Sequence, residues 1–394
     1  MTQETPLAYD RRRTSRITGV LLTWLDAARA AETLPIVAQW DAATWQNARW
    51  AVLMQGLGPY LHHTLPGTPL YAAMPADFRQ WLAEGYAANA ARVAQLHADL
   101  RQVLQAANRH SVRVMLLKGS LLSTHYYAAP ALRPMADLDV LVQRETAVSL
   151  PSLLAEIGYQ PVHALSNVHA NHLSFMHRDT PRVVSWAQED AANPRRLDVH
   201  LALRRGTWGR VAAYDLTDFM WQAAGETTLW GERVWLPAPD RLLAHLTIHA
   251  CQDLLFHGGR LLQWLDILHV ARQVDRFVPP YPNWMLPPLR LLDRGLPGAL
   301  PLDVAALRPL VDPRVWAWTD RVPLDGRCGL TLGPSPYRAG PRRFHWERWH
   351  PTPWRLRLGY YHLPLPLAYG VHLLSWGRRW WEKLRGSAFD NPAV

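Results

Sequence analysis

The chain has 394 residues, 49% of them hydrophobic, which is enough for two or three domains with ordinary cores, and no segment offers the ~20 consecutive apolar residues of a membrane-spanning helix. Lys and Arg outnumber Asp and Glu by 42 to 32, and a net charge of +10 favours anionic partners such as nucleotides, nucleic acid or an acidic lipid surface without choosing among them. Only Cys251 and Cys328 are present, which excludes a disulfide scaffold, lacks metal-ligand spacing and fits a reducing cytoplasm. Near the N-terminus, Arg11-Arg12-Arg13 followed by an apolar stretch over 17–25 imitates a secretory signal. Ile17, Val20, Leu21, Trp24, Leu25 and Ala28 fall on one helical face, however, and Asp26 closes the run, so the reading is a cytoplasmic amphipathic helix. Residues 17 to about 110 read as helical. Asp41 is an N-cap for a helix carrying Trp45, Trp50, Val52 and Leu53; Pro59, Pro66, Gly67 and Pro69 then mark a loop. Pro75 opens a long helix in which Phe78, Leu82, Val93, Leu96, Leu100 and Leu104 recur at the spacing of a core-facing stripe.

That helix leads into the stretch that organises the chain, residues 114–142. Residues 114–117 form a short apolar run with the length of a buried strand, ending at Lys118-Gly119-Ser120, where glycine lets the backbone turn and approach a ligand closely. Residues 121–127 have helical character. After Pro130 and Pro134, residues 136–142 read as a second strand. Side chains on a strand repeat every two residues, so Asp137 and Asp139 point the same way, ~6.5 Å apart along the backbone, while Leu138 and Val140 point into the core. Two adjacent carboxylates repel each other. A cation between them offsets that cost, and hard oxygen ligands suit magnesium, which keeps phosphate oxygens and waters as its other ligands.

Strand, Gly-Ser turn, helix and a strand carrying Asp-x-Asp together resemble the polymerase-beta-like nucleotidyltransferase superfamily. More narrowly, Leu117-Lys118-Gly119, Leu122, Tyr126, Arg133-Pro134 and Asp137-Leu138-Asp139 with Leu141-Val142 resemble the bacterial family called uncharacterised nucleotidyltransferases. The interval from Ser120 to Asp137 is longer than in the general superfamily and is shared by the narrower family. The resemblance implies an α/β (α+β) fold, a small mixed-sheet nucleotidyltransferase core flanked by N-terminal and C-terminal helical regions. It places a third carboxylate at Asp198, in Arg196-Leu197-Asp198-Val199-His200. The activity it implies is transfer of a nucleoside monophosphate from a nucleoside triphosphate to an unidentified acceptor hydroxyl or phosphate, with release of pyrophosphate. Asp137, Asp139 and Asp198 would ligate magnesium, or manganese in its place, with Asp198 beside the acceptor as a base. Lys118, Gly119, Ser120 and Arg133 would hold the nucleotide's phosphates. Two alternatives stay open: a catalytically silent nucleotide-binding sensor or scaffold, and a phosphoryl transferase acting on a peptide or sugar.

Farther along, residues 146–157 read as a helix, 172–177 as a strand, and 178–195 as a loop. Residues 197–203 alternate apolar and polar, a half-buried strand with Asp198 and His200 on its polar face. His163, His169, His172 and His177 match no zinc spacing and read as surface or loop histidines. Pro239 starts a helix through His245 and His249 to about His257, and after Gly258-Gly259 a second helix covers 260–272; it too resembles the family. His245 and His249 lie one turn apart but lack the intervening Glu of a zinc hydrolase, and read as packing residues or as polar contacts toward the nucleotide cleft. Beyond about 277 the prolines multiply and only short helices are expected. Residues 342–385 interleave Trp346, Trp349, Trp376 and Trp380 with Arg342, Arg343, Arg378 and Arg379. That composition fits a packed closing layer, a peripheral membrane contact or, as the lesser alternative, nucleic acid. The resulting division is an N-terminal helical region at 1–110, the core at 111–236, helices packing on it at 237–277, and a Pro/Trp/Arg-rich region at 278–394.

Overall fold

The computed structural model describes residues 10–162, 171–180, 182–183, 189–206, 212–256, 259–324, 364, 366–367 and 369–374. Helix α1, Arg11–Thr23, starts earlier than its apolar stripe because the Asp10 carboxylate accepts from the Arg12 and Arg13 N–H groups at 2.8 and 3.1 Å. Ile17, Leu21, Leu22, Trp24 and Leu25 are buried, as an amphipathic helix requires. After the single turn α2, Leu34–Val37, helix α3, Ala42–Gln55, is capped by Asp41, which accepts from Thr44 N–H at 2.7 Å, and stops at Gly56, whose φ of +68° is the left-handed region. The segment expected to be a loop instead holds two short helices, α4, Gly58–Thr64, and α5, Pro69–Ala73. Pro59 and Pro69 sit in their first turns, where the missing N–H has no helical partner to lose. Helix α6, Ala76–Arg109, is 34 residues long and buries the expected stripe from Phe78 to Leu104.

The core follows as β1, Val114–Leu116, α7, Lys118–His125, β2, Asp137–Val142, α8, Leu150–Glu156, β3, Tyr159–Pro161, β4, His172–His177, and β5, Arg196–His200. Helix α7 begins three residues ahead of expectation and takes in the Gly-Ser turn. The helix expected over 146–157 divides, a 3-10 turn at Arg144–Val148 preceding α8, because Pro151 is tolerated only in a first turn. A separate hairpin pairs β6, Arg204–Arg205, with β7, Tyr214–Asp215, and α9, Thr217–Gln222, leads to the hairpin of β8, Ala224–Leu229, and β9, Glu232–Pro237. The sheet runs β3-β4-β5-β2-β1-β9-β8. β2 is antiparallel to β1 and parallel to β5, and β1 is parallel to β9, so the sheet is mixed, as the expected fold class requires.

Helices α10, Pro239–Phe256, and α11, Leu261–Ala271, pack on each other, and α10 also packs on α12, Pro282–Gly295, which meets α13, Pro313–Arg321. The expectation of only short helices beyond 277 is corrected by α12, which runs 14 residues with Pro287 and Pro288 inside it. Each internal proline removes a helical hydrogen bond at a cost of ~3 kcal/mol. Trp284, Met285, Leu286, Leu289, Leu291 and Leu292 are all buried, and at roughly 1.5–3 kcal/mol per side chain their burial outweighs that cost. The arginines and tryptophans of 342–385, expected to form a packed closing layer, a membrane contact or a nucleic-acid surface, lie outside the described residues, as do His163, His169 and Cys328. Among the described residues, no helix is long and apolar enough to cross a membrane.

Candidate active site

The two-residue period of β2 places Asp137 and Asp139 on the face opposite Leu138 and Val140. The parallel register with β5 sets Asp198 directly across from Asp139, at the ~4.8 Å spacing of neighbouring strands. One strand farther, β4 aligns Ser174 with Asp198, and the Ser174 hydroxyl donates to Asp198 Oδ1 at 2.6 Å. The three carboxylates expected to converge are therefore neighbours on one face. Their strands are held at their entry points by Arg92 of α6. Its guanidinium, 1% exposed, donates to the carbonyls of Ala136, Asn193 and Pro194 at 3.0, 2.8 and 2.7 Å. Ala136 immediately precedes Asp137, and Asn193 and Pro194 stand just ahead of β5.

Charge in this cluster is unbalanced. Lys118 Nζ donates to Asp139 Oδ1 at 2.8 Å, and His200 Nε2 lies 2.9 Å from the same oxygen. Against the upward push of burial, these two partners hold the Asp139 carboxyl below the ordinary carboxylate range. Asp137 has no such partner among the described residues: burial, then the neighbouring charges of Asp139 and Asp198, push it up to about 7 although Lys118 pulls the other way. Burial acts to discharge Lys118, but Asp139 and Asp137 prevail and raise its pKa. Lys118 also carries a φ of +39°, a strained position for a side chain with a Cβ and of the kind that clusters at functional sites.

The residues expected to grip phosphate divide. Lys118 lines the cleft described below. Ser120 is fully buried and its Oγ accepts from the Asp139 N–H at 2.9 Å, so it fixes the aspartate's backbone and does not face a ligand. Gly119 leaves room beneath α7: a Cβ there would stand 2.6 Å from Arg133 Nη1 and 3.1 Å from Met135 Sδ. Arg133 is not brought to the phosphate side at all. It forms a fork with Asp266 of α11, Nε to Oδ1 at 2.8 Å and Nη2 to Oδ2 at 2.7 Å, while Tyr127 OH donates to Asp266 Oδ1 at 2.7 Å. The expectation of a phosphate contact there is corrected: the guanidinium, 8% exposed, uses its Nε/Nη2 edge in tying the β2 entry loop to α11, and its Nη1 lies 3.4 Å from the Pro134 carbonyl.

A cleft of about 370 Å³ opens beside the carboxylates. Its floor is Lys118, His172 and His200; β6 and β7 supply Arg204, Arg205 and Tyr214; α10 supplies His245, His249 and Gln252. His172, read from the sequence as a surface histidine, is exposed and also lines the cleft; His200 has no role in that reading, and His245 and His249 only those of packing residues or polar contacts toward the cleft. A signal was present for His200, which shares a strand face with Asp198 two residues before it. Nothing in the local pattern of Arg204-Arg205 marks a cleft, because its other walls come from segments remote in the chain.

Among the described residues no group of three or more His, Cys, Asp or Glu side chains is arranged so that it could hold a metal ion as it stands, and Asp139 Oδ1 faces Lys118 and His200. The donors themselves, carboxylate oxygens, are of the chemical type that suits a hard divalent ion. Three carboxylates stand near one ammonium, and the Asp137 pKa is raised first by burial and then by the charges of Asp139 and Asp198.

Comparison with known proteins bears on this site. The search of curated proteins found no match. Among solved structures, the antibiotic-resistance factor ANT(2'')-Ia aligns at 15% identity over 56% of this chain and 91% of its own, with a TM-score of 0.30. An antigenic nucleotidyltransferase-like protein from Paracoccidioides brasiliensis aligns at 16% identity over 52% and 88%, with a TM-score of 0.32. Values that low carry no argument about this chain. The decisive match is to the family model described as uncharacterised nucleotidyltransferase, over residues 19–279, well over half of the chain and inclusive of all three carboxylates. The chain therefore belongs to the uncharacterised nucleotidyltransferase family and is a nucleotidyltransferase.

Proposed function

We propose that this protein transfers a nucleoside monophosphate from a nucleoside triphosphate to an acceptor oxygen and releases pyrophosphate, with Asp137, Asp139 and Asp198 holding a divalent cation. Magnesium suits these oxygen ligands, and manganese would substitute. The observation that carries this reading is the register setting Asp198 across from Asp139, with Asp137 on the same face. When bound, the cation would neutralise charge on the phosphate oxygens and on the leaving pyrophosphate.

The chain's own groups supply the rest. Asp198, oriented by the Ser174 hydroxyl at 2.6 Å, takes the proton of the acceptor hydroxyl as its oxygen bonds to the α-phosphorus and the bond to pyrophosphate breaks. Lys118 provides a second positive charge beside Asp139 for the phosphate tail. Ser120 holds the Asp139 backbone in place, and Gly119 admits the Arg133 guanidinium beneath α7. Arg133 acts on the site through space, lowering the Asp137 pKa against larger opposing effects. The test is incubation of the full chain with labelled nucleoside triphosphate, magnesium and cell extract as a source of acceptors. Labelled product together with stoichiometric pyrophosphate is expected; release of a nucleoside diphosphate instead would replace nucleotidyl with phosphoryl transfer.

The sensor reading has one observation in its favour. Lys118 and His200 together occupy the Asp139 oxygen that a cation would need. Nucleotide binding by calorimetry without pyrophosphate release across many acceptors would select it.

A further inference from the structure

The cleft beside the carboxylates has a chemical character of its own. Lys118, Arg204 and Arg205 line it, and among the described lining residues there is no aspartate or glutamate. Arg204 is fixed in place by Asn171, its Nε donating to Asn171 Oδ1 at 3.1 Å while Asn171 Nδ2 donates to the Arg204 carbonyl at 3.2 Å. Arg205 pairs in register with Tyr214, whose hydroxyl meets Gln252 Nε2 of α10, so hairpin and helix are joined across the cleft. On the α10 wall His245 is 6% exposed, and its Nε2 is buried with no hydrogen-bond partner among the described residues. An orphaned buried nitrogen costs free energy that a ligand would return. Burial pushes this imidazole down to about 3, so it offers the ligand a hydrogen bond and no charge; the positive charge comes from the lysine and arginines.

We propose that this cleft is a binding site for a phosphate group, with Arg205 and Arg204 as its cationic wall and His245 as its neutral hydrogen-bonding partner. The planar donor fork of arginine matches phosphate oxygens, and the lining would repel a cationic acceptor. The inference rests on the nucleotidyl-transfer reading only in assigning the phosphate to a source: the nucleotide's own tail, or a phosphate carried by the acceptor.

The test is calorimetric titration of inorganic tripolyphosphate into the full chain in chelator, using wild type, Arg205→Gln, His245→Asn and Asp137→Asn. Wild type is expected to bind, Arg205→Gln about tenfold more weakly and His245→Asn also more weakly, while Asp137→Asn binds as well or better because a negative charge has gone. The partly exposed hairpin position makes Arg205→Gln informative even if His245→Asn fails to fold. Absence of tripolyphosphate binding to wild type, or equal affinity in Arg205→Gln, overturns the proposal. Since no metal or nucleotide takes part, that failure leaves the transfer reading standing, and loss of label transfer in Asp137→Asn leaves this one standing. Addition of ATP and magnesium to the tripolyphosphate-bound protein then identifies the source: competition assigns the cleft to the nucleotide's tail, and simultaneous binding assigns it to the acceptor's phosphate.

Discussion

Two charge clusters, one around Asp266 and one around Asp139, are built on opposite principles. Around Asp266 the charges are matched: one carboxylate meets one guanidinium as a bidentate fork, with Tyr127 completing the set and both ionic side chains at most 10% exposed. Around Asp139 they are mismatched, with Asp137 and Asp198 adding negative charge that Lys118 alone does not neutralise. A matched cluster is complete within the protein and its work is positional. It holds α11, and through it α10, against the core, and so fixes the cleft wall on which His245 stands. A mismatched cluster carries a displaced pKa, and under the proposed function an external cation would offset that cost.

The sharpest way to break this comparison is Asp137→Asn. If the mismatch is functional, label transfer should fall roughly a thousandfold, as when a principal electrostatic group is removed from a transition state. Unfolding by urea should show stability unchanged or raised, since a repelling charge has been neutralised without loss of volume. Loss of both activity and stability would make Asp137 a structural residue like Asp266.

Asp266→Asn asks the converse question. Leaving the Arg133 guanidinium buried without its counter-ion should cost about 3 kcal/mol in urea unfolding. Transfer per folded molecule should change far less than in Asp137→Asn. A variant as stable as wild type would show that the fork contributes nothing to holding α11.

The part of this contrast that the sequence displayed follows from distance along the chain. Asp137 and Asp139 were legible because a strand's period of two is a local property. Asp198 was not, since a lone aspartate on an alternating strand is ordinary surface chemistry until register pairs it with Asp139; only the family resemblance singled it out. The expectation for Arg133 fails for the same physical reason, because its partner lies 133 residues away on α11. An arginine beside a phosphate motif has no local feature that distinguishes a ligand contact from an internal strut. Most helices were recovered from apolar spacing and from caps such as Asp41. The β8–β9 hairpin was not, since its turn is Trp230-Gly231 with φ of +53° and +84°, and tryptophan is no usual signal for a left-handed position. Likewise α12 keeps two internal prolines because burial of its neighbours decides the matter, and burial is a tertiary fact.

Acid sensitivity sharpens the comparison by separating scaffold from site. His97 of α6 lies 3.0 Å from Ser123 Oγ of α7, and burial pushes it down to about 4. Its folded pKa is thus below the unfolded value of ~6.5, so the stability tied to its neutral form is intact above pH 6.5 and is lost as pH falls from there toward 4. His97→Gln should flatten that decline by about 2 kcal/mol, measured as the pH dependence of urea unfolding. An unchanged decline would place the acid limit in other histidines.

The smallest effect tests whether orientation within the mismatched cluster matters. Under the proposed function Ser174 is a positioning residue: its hydroxyl donates at 2.6 Å to Asp198 Oδ1 and would restrict how that carboxylate meets an acceptor. Ser174→Ala removes one hydrogen bond to a charged group at a partly exposed position, so stability should fall by no more than about 1 kcal/mol. If Asp198 takes the acceptor's proton, its misorientation should lower kcat roughly tenfold with a smaller rise in KM for the nucleotide, because Asp137 and Asp139 would still hold the cation. Ser174→Thr keeps the hydroxyl and should restore most of the rate. A Thr variant no better than Ala would assign Ser174 to strand packing, and would leave the orientation of Asp198 to β5 alone.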